Sequence, residues 1–376
     1  MEITIAACGA VTAVGETVDE LLTAVRANTS GLRPCGRFID PVYQSNVLGA
    51  TATGTDGDDP AFFLADRALR EARAQANSIL GKLPSNRIAL VLSTTKANIE
   101  ALERLTDARP CSPTARRHLQ GQLLAIDLAA AHGAAGPVQC VSVACISGLV
   151  AIEQGAKLLQ RGAADAVLVV GVDCLSAFVV TGFSALKALD PIGCRPFDRD
   201  RCGLSPGEAG AALVLTRGKG ETSVCGWGGS NDANHLTGPS RDGASLALAI
   251  RRALTVAELE PRDIDYVNAH GTGTQYNDAM ESLALRAVFG DACPPVSAAK
   301  GMLGHTMGAA GIVETIICVL AARQRLIPGT PRLSSPADGA PEQLLKEPRT
   351  SVNVRHILKL GTGFGGVNGA LVLRHG

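Results

Sequence analysis

The residues of this sequence best suited to chemistry are one cysteine and two histidines. Cys145 lies in VACISG, after a predicted buried strand over Val138–Val143 and at the start of a predicted buried helix over Ile146–Gln160. A helix N-terminus offers free N–H groups and the positive end of the helix dipole, which together favour a thiolate and lower the sulfur's pKa. A soft nucleophile of that kind suits thioester exchange. None of the other cysteines among the 11 has such a setting, and they read as inert thiols. His270 follows a predicted strand over Ile264–Asn268 in VNAHGTGT, and His305 follows another over Val296–Ala298 in KGMLGHTMG. Histidines at the C-terminal ends of strands, among small residues, fit the rule that parallel sheets bind ligands there. His118, His132, His235, His356 and His375 lack that context and read as ordinary.

Two other motif-like strings fail on physical grounds. GLSPG at Gly203–Gly207 matches a nucleophile elbow, but the residue after Ser205 is Pro206, which has no N–H for an oxyanion hole. GTGFGG at Gly361–Gly366 matches a dinucleotide fingerprint, but only ten residues follow and they read as a strand rather than a helix. No HExxH, CxxC, EF-hand or Walker pattern is present, so no metal or nucleotide cofactor is expected.

The elements that must position these residues are those of an α/β protein. Short apolar runs alternate with helical patterns over Thr17–Ala27, Pro60–Ser78, Ser112–His132, Ser245–Ala257, Asp278–Phe289 and Met307–Arg323. Further strands are expected at Ile3–Cys8, Ile88–Ser93, Ala166–Val172, Ala211–Thr216, Ser351–Val354 and Ala370–Leu373. The helices at Ile146–Gln160 and Met307–Arg323 are apolar nearly all round, so both belong between layers. Each follows a short strand and a tight turn, which suggests an internal duplication with a boundary near Thr216–Ser223.

Composition sets the outer bounds. The 376 residues carry 35 basic and 35 acidic side chains, and this zero formal charge argues against a nucleic-acid binder. With 46% hydrophobic and 19% charged residues, the chain can bury a large core. Aromatics are only 3%, so that core must be aliphatic. Charges interrupt the most apolar stretches, such as Asp165 and Asp173 in 163–180, so no membrane span is expected. The N-terminus lacks a signal-peptide pattern and the cysteines are not paired by spacing; a cytoplasmic protein with reduced thiols is expected.

VACISG, NAHGTGT with Asp278 and Glu281, KGMLGHTMGAAGIVE and the terminal GTGFGGVNG together resemble the β-ketoacyl-acyl-carrier-protein synthases. The likeness begins at CGAVTAVG, continues through RPFDRDRCGLSPGEAGAALVL and covers nearly the whole chain. It implies the thiolase-like α/β fold, a five-layer αβαβα sandwich of two duplicated halves, at 1–218 with the nucleophile and at 219–376 with both histidines. The implied activity is the decarboxylative Claisen condensation of an acyl thioester with malonyl-acyl-carrier protein, in fatty-acid, polyene or polyketide synthesis. A non-catalytic partner resembling a chain-length factor is the alternative; such proteins usually lack the cysteine.

The resemblance also assigns roles. Cys145 matches the acyl-accepting nucleophile, and His270 and His305 match the pair acting in decarboxylation and enolate binding. Lys300 matches a lysine that shapes the field beside them, or pairs with Glu314, itself matching a buried family glutamate. The N–H groups of Cys145 and Phe364 match the oxyanion hole, with Phe364 also the gating aromatic, and Thr272 and Thr274 match contacts to the phosphopantetheine arm. A homodimer, or a heterodimer with a related subunit, is implied, with acyl carrier protein as partner.

Four departures qualify the match. Ile146 stands where a small or hydroxyl residue is usual and is expected to crowd the acyl tunnel. Thr362 replaces a frequent aromatic, and Lys96–Arg117 lacks the Pro- and Phe-rich stretch usual there. The stretch TDGDDPA before Pro60 is acidic where a basic rim would meet an acidic carrier, leaving Arg116, Arg117 and Lys187 as the expected docking rim.

Overall fold

Short runs, most of them rich in Val, Leu, Ile and Ala and too short for buried helices, build one sheet. The structure is a computed structural model that describes residues 2–52 and 57–376. Its ten main strands are β1 (Ile3–Val11), β2 (Ile88–Ser93), β3 (Val138–Val141), β4 (Ala166–Asp173), β5 (Ala209–Arg217), β6 (Thr222–Asn231), β7 (Tyr266–Asn268), β8 (Val296–Ser297), β9 (His356–Gly363) and β10 (Val367–His375). The order across the sheet is β8-β7-β9-β10-β6-β1-β5-β4-β2-β3.

Read outward from the centre, the two halves repeat. From β1, the chain pairs antiparallel to β5, antiparallel to β4, then parallel to β2 and β3. From β6, it pairs antiparallel to β10, antiparallel to β9, then parallel to β7 and β8. The halves join through two residue pairs, Ile3 with Val224 and Thr4 with Ser223. Residues 218 and 219 lie in the turn between β5 and β6.

Helices complete five layers. α1 (Val18–Ala27) is capped by Thr17, and α2 (Pro60–Gln75) by Asp59. α2 and α4 (Gly121–Ala131) cover the outer face of the first half; α7 (Ala244–Ala257) and α8 (Gln275–Phe289) cover that of the second. Between the halves lie α5 (Ser147–Gln160) and α9 (Ala310–Arg323), which touch strands of both. Glycine permits their crossing: a Cβ on Gly311 would lie 2.5 Å from the Leu149 N, and one on Gly148 would lie 2.8 Å from the Ile312 N. Among the described residues, no helix is long and apolar enough to cross a membrane, and no group of three or more His, Cys, Asp or Glu could hold a metal ion.

Several expected elements differ. The helix expected over Ser112–His132 is two, α3 (Pro113–Arg117) and α4, broken where His118 turns inward between Asp59 and Asp127. The strand expected at Ser351–Val354 is instead β9, whose apolar run is interrupted by a fully buried Lys359. β6 and the helix α6 (Ala177–Ala185) were not expected. β6 is glycine-rich because α7 lies directly on it: Cβ atoms at Gly226 and Gly228 would lie 2.3 and 2.2 Å from carbonyl oxygens of α7.

Candidate active site

Cys145 projects from the sharp turn that follows β3. Ala144 adopts a left-handed φ of 44°, unusual for a residue with a Cβ. Ser147 braces the turn: its Oγ accepts from the Val143 N–H at 2.8 Å and donates to the Ala144 carbonyl at 2.6 Å. The N–H groups of Ile146 and Ser147 close back on the carbonyls of Val143 and Ala144 at 3.3 and 3.2 Å. These N–H groups are therefore spent on the turn. The expected lowering of the Cys145 pKa is corrected accordingly: burial pushes the thiol up to about 11, opposed by the Lys300 charge and by a hydrogen bond from the Phe364 N–H.

The thiol opens onto a cavity of about 530 Å³ that His270 and His305 also line. The two rings meet edge to face, with centroids 5.2 Å apart. Burial first, and the nearby Lys300 second, hold both imidazoles well below their usual pKa, so both are neutral. Each ring has one nitrogen already committed. The Met307 N–H donates to His305 Nδ1 at 3.3 Å. The Lys300 ammonium faces His270 Nδ1 at 3.2 Å. In both rings Nδ1 is thus the acceptor, which leaves the proton on Nε2.

Lys300 is fully used. Besides His270 Nδ1, its Nζ donates to the His270 carbonyl at 2.6 Å and to Glu314 Oε1 at 2.7 Å. The field role and the Glu314 pair, posed as alternatives, coexist. Glu314 Oε2 takes a second buried cation, Lys359, at 2.7 Å. Nothing in the sequence marks Lys359, because a lone lysine inside a strand carries no motif.

The turn after β7 is held by Asp278 and Glu281, the two acidic residues that follow NAHGTGT. Glu281 accepts the N–H groups of His270 and Gly271, both at 2.7 Å, and Asp278 accepts that of Thr272 at 3.0 Å. Burial, followed by the neighbouring Asp278, pushes Glu281 up to about 7. Thr272 and Thr274 line the cavity with their hydroxyls 2.8 Å apart. The rejected serine also has a structural place: the Ser205 carbonyl accepts the His305 N–H at 2.7 Å, and the Gly207 N–H donates to the His305 carbonyl at 2.9 Å.

Phe364 stands at the cavity, 39% exposed, with its ring centroid 5.9 Å from that of Phe183. A Cβ on the preceding Gly363 would lie 3.0 Å from the Cys145 N, so glycine there lets the two backbones approach. Thr362 also lines the cavity and donates to Asn277 Oδ1 at 2.6 Å.

The remaining expectations are only partly met. Ile146 is buried and does not line the cavity; its side chain packs toward Gly361 of β9 and Gly369 of β10. Of the docking residues, Lys187 lines the cavity. Arg116 and Arg117 do not: Arg117 pairs with Asp127 at 3.0 Å, and Arg116 reaches the Ser112 carbonyl at 3.5 Å. In the acidic stretch before Pro60, Thr55 and Asp56 lie outside the described residues. Asp58 accepts the Ser112 N–H at 2.5 Å, and Asp59 caps α2 and holds His118, so these charges are structural.

Known proteins resemble this chain in sequence and in fold. Residues 58–220 match the family described as beta-ketoacyl synthase, N-terminal domain, and residues 222–334 match its C-terminal domain. The chain is 32% identical to the granaticin polyketide putative beta-ketoacyl synthase 1 of Streptomyces violaceoruber, over 94% of this chain and 93% of the relative. It is 28% identical to the 3-oxoacyl-acyl-carrier-protein synthase 2 of Coxiella burnetii, over 99% and 98%. Among solved structures, a ketosynthase from Xenorhabdus doucetiae in complex with its chain length factor superimposes with a TM-score of 0.91 at 28% identity, covering 100% of this chain and 98% of that one. With both halves of the sequence and the whole fold accounted for in this way, the chain belongs to the β-ketoacyl synthase family of acyltransferases.

Proposed function

We propose that Cys145, His270 and His305 carry out the decarboxylative condensation of an acyl thioester with malonyl-acyl-carrier protein. The observation that carries this reading is the pair of neutral imidazoles, each with Nδ1 already accepting a hydrogen bond, lining the cavity onto which the Cys145 thiol opens.

In the first step Cys145 Sγ attacks the acyl carbonyl. The C–S bond to the carrier breaks, and the carrier thiol departs with a proton. Lys300 and the Phe364 N–H favour the developing thiolate against the effect of burial. Malonyl-carrier then enters along Thr272 and Thr274. The bond to its carboxylate breaks, CO₂ leaves, and the electron pair moves onto the thioester as an enolate. The Nε2–H groups of His270 and His305 donate to the enolate oxygen; an oriented donor of this kind contributes about 3–4 kcal/mol. The enolate carbon attacks the acyl carbonyl on Cys145, the N–H groups of Cys145 and Phe364 hold the oxyanion, and the thiolate leaves. In this reading Lys187, which lines the cavity, meets the acidic carrier.

A ketosynthase-like second subunit is part of this reading, because structural relatives are ketosynthase and chain length factor complexes. The reading in which this chain is itself the inactive subunit gains nothing from the structure, since the cysteine and both histidines meet at one cavity. The test is CO₂ release from malonyl-carrier by wild-type protein, His270→Ala and His305→Ala. Release by the wild type that either variant lowers, while acyl loading persists, is expected. Equal release by all three would remove the histidines from decarboxylation.

A further inference from the structure

Strand ends converge on the cavity, and most of them already have a role. The turn after β3 carries Cys145, that after β7 carries His270, and that after β8 leads to Lys300 and His305. By strand order and sense, β2 is the counterpart of β7, and its end carries Ser93, Thr94, Thr95 and Lys96. Lys96 has no part in the reaction described above. Its side chain is nevertheless only 6% exposed, and its Nζ sits 3.1 Å from the fully buried Asp173 at the end of β4. Withdrawing two charges from water is unfavourable unless hydrogen bonds make it good, so a pair this deep calls for a reason.

The surroundings of Asp173 supply one. Its carboxylate accepts from the Thr94 hydroxyl at 2.9 Å, the Thr95 N–H at 3.0 Å and the Thr95 hydroxyl at 2.7 Å. It also accepts the Gly308 N–H, from the other half of the chain, at 2.7 Å. Ser93 completes the clasp by donating to the Gly308 carbonyl at 2.9 Å. No side chain fits at position 308: a Cβ would lie 2.8 Å from Asp173 Oδ2. The preceding residue, Met307, has a left-handed φ of 48°, and its sulfur lies 3.6 Å from Lys96 Nζ. The Met307 N–H is the donor that fixes the His305 imidazole.

We propose that Lys96 and Asp173 are positioning residues for the condensation: they lock the Met307–Gly308 turn, and through it the His305 ring, to the strands of the half that carries Cys145. The inference rests on the functional reading above and extends it across the two halves. It has a second consequence. Lys96 is a fixed cation near the Cys145 sulfur; the charged groups acting there are Lys300, Asp173 and Lys96, with Asp173 opposing the two lysines. At His305 the acting cations are Lys300, Lys359 and Lys96.

Lys96→Met keeps most of the length of the side chain and leaves Asp173 its four other donors, so the fold is expected to survive. Two quantities are read in the full-length protein: CO₂ release from malonyl-carrier, and the pH profile of Cys145 alkylation by iodoacetamide, scored at its own peptide. Release is expected to fall about tenfold or more, as a loosened catalytic group predicts. The alkylation profile is expected to move to higher pH, because a cation that favours the thiolate is gone. Lys96→Arg, which keeps the charge, is expected to restore the profile. Asp173→Asn is expected to lower release further. Wild-type release together with an unmoved profile in Lys96→Met would overturn the proposal. So would a fall in release no larger than the loss of folded protein, with the profile unmoved. Acyl loading of Cys145→Ala separates the two levels: if this variant still loads acyl groups, the functional reading itself fails.

Discussion

Glu314 is shared by two buried ammonium groups, Lys300 at 2.7 Å from Oε1 and Lys359 at 2.7 Å from Oε2. Three substitutions at this cluster give three different results. Glu314→Gln leaves two cations with no counter-ion. Removing one member of a buried pair costs about 3–5 kcal/mol. At about 2 °C per kcal/mol for a large domain, that is a fall of about 6–10 °C in melting temperature. Burial already lowers the Lys359 pKa, so in the variant this lysine gives up its proton most readily. Its folded-state pKa then lies further below the unfolded value, the unfolded chain binds more protons, and the variant's stability rises with pH. The gap from wild type therefore narrows as the solution becomes alkaline.

Lys300→Met and Lys359→Met each leave Glu314 one cation, so both are expected to fold. Only Lys300 touches the His270 ring, whose Nδ1 then loses its donor and its fixed tautomer. Loss of one oriented donor corresponds to about a hundred- to a thousandfold lower CO₂ release. Besides Glu314, Lys359 donates among the described residues to backbone carbonyls, at Ala269 and Leu360, and its variant is expected to lose far less. Thermal melts from neutral to alkaline pH, with CO₂ release on each variant, make the measurement. Equal loss of release in the two lysine variants would refute the tautomer argument. A Glu314→Gln melt matching the wild type would refute the charge argument.

Two further expectations follow from residues whose surroundings differ from the sequence reading. Ile146→Ser is expected to leave the acyl-donor profile unchanged and to cost about 1–3 kcal/mol of stability, because the side chain packs on Gly361 and Gly369 rather than lining the cavity. Denaturant melts and a panel of acyl-carriers check this, and a broadened panel would return Ile146 to the tunnel. At His118, burial works against the charged ring, but hydrogen bonds with Asp59 and Asp127 outweigh it and raise the pKa above 6.5. The stability this adds is complete below the unfolded-state pKa and is lost as pH rises through the raised folded-state pKa. The melting difference between wild type and His118→Gln should therefore be largest in mild acid and shrink in alkali; a constant difference would contradict the assignment.

The parts of the site that were legible in the sequence are those built by local signals. Cys145 stood between a short strand and an apolar helix, and His270 and His305 stood at strand ends among glycines. Structures assembled from distant residues were not legible. Lys96 and Asp173 lie at the ends of different strands, far apart in the chain, and nothing local marks either as buried. β6 was missed because the glycines that admit α7 also remove the β-branched pattern of a strand. β9 was displaced in the sequence reading because Lys359 breaks its apolar run, and the reason for that lysine, Glu314, lies on another element. Asp58 and Asp59 read as an acidic surface because charge alone does not reveal which N–H groups a carboxylate caps.

The most direct test of the account is the intact mass of the protein after incubation with acyl-carrier thioesters of several chain lengths, with Cys145→Ala alongside and the candidate partner subunit present. A mass increase corresponding to the acyl group is expected in the wild type and none in the variant. An adduct that persists in Cys145→Ala, or no adduct in the wild type with any donor, would contradict the assignment of Cys145 as the acyl acceptor.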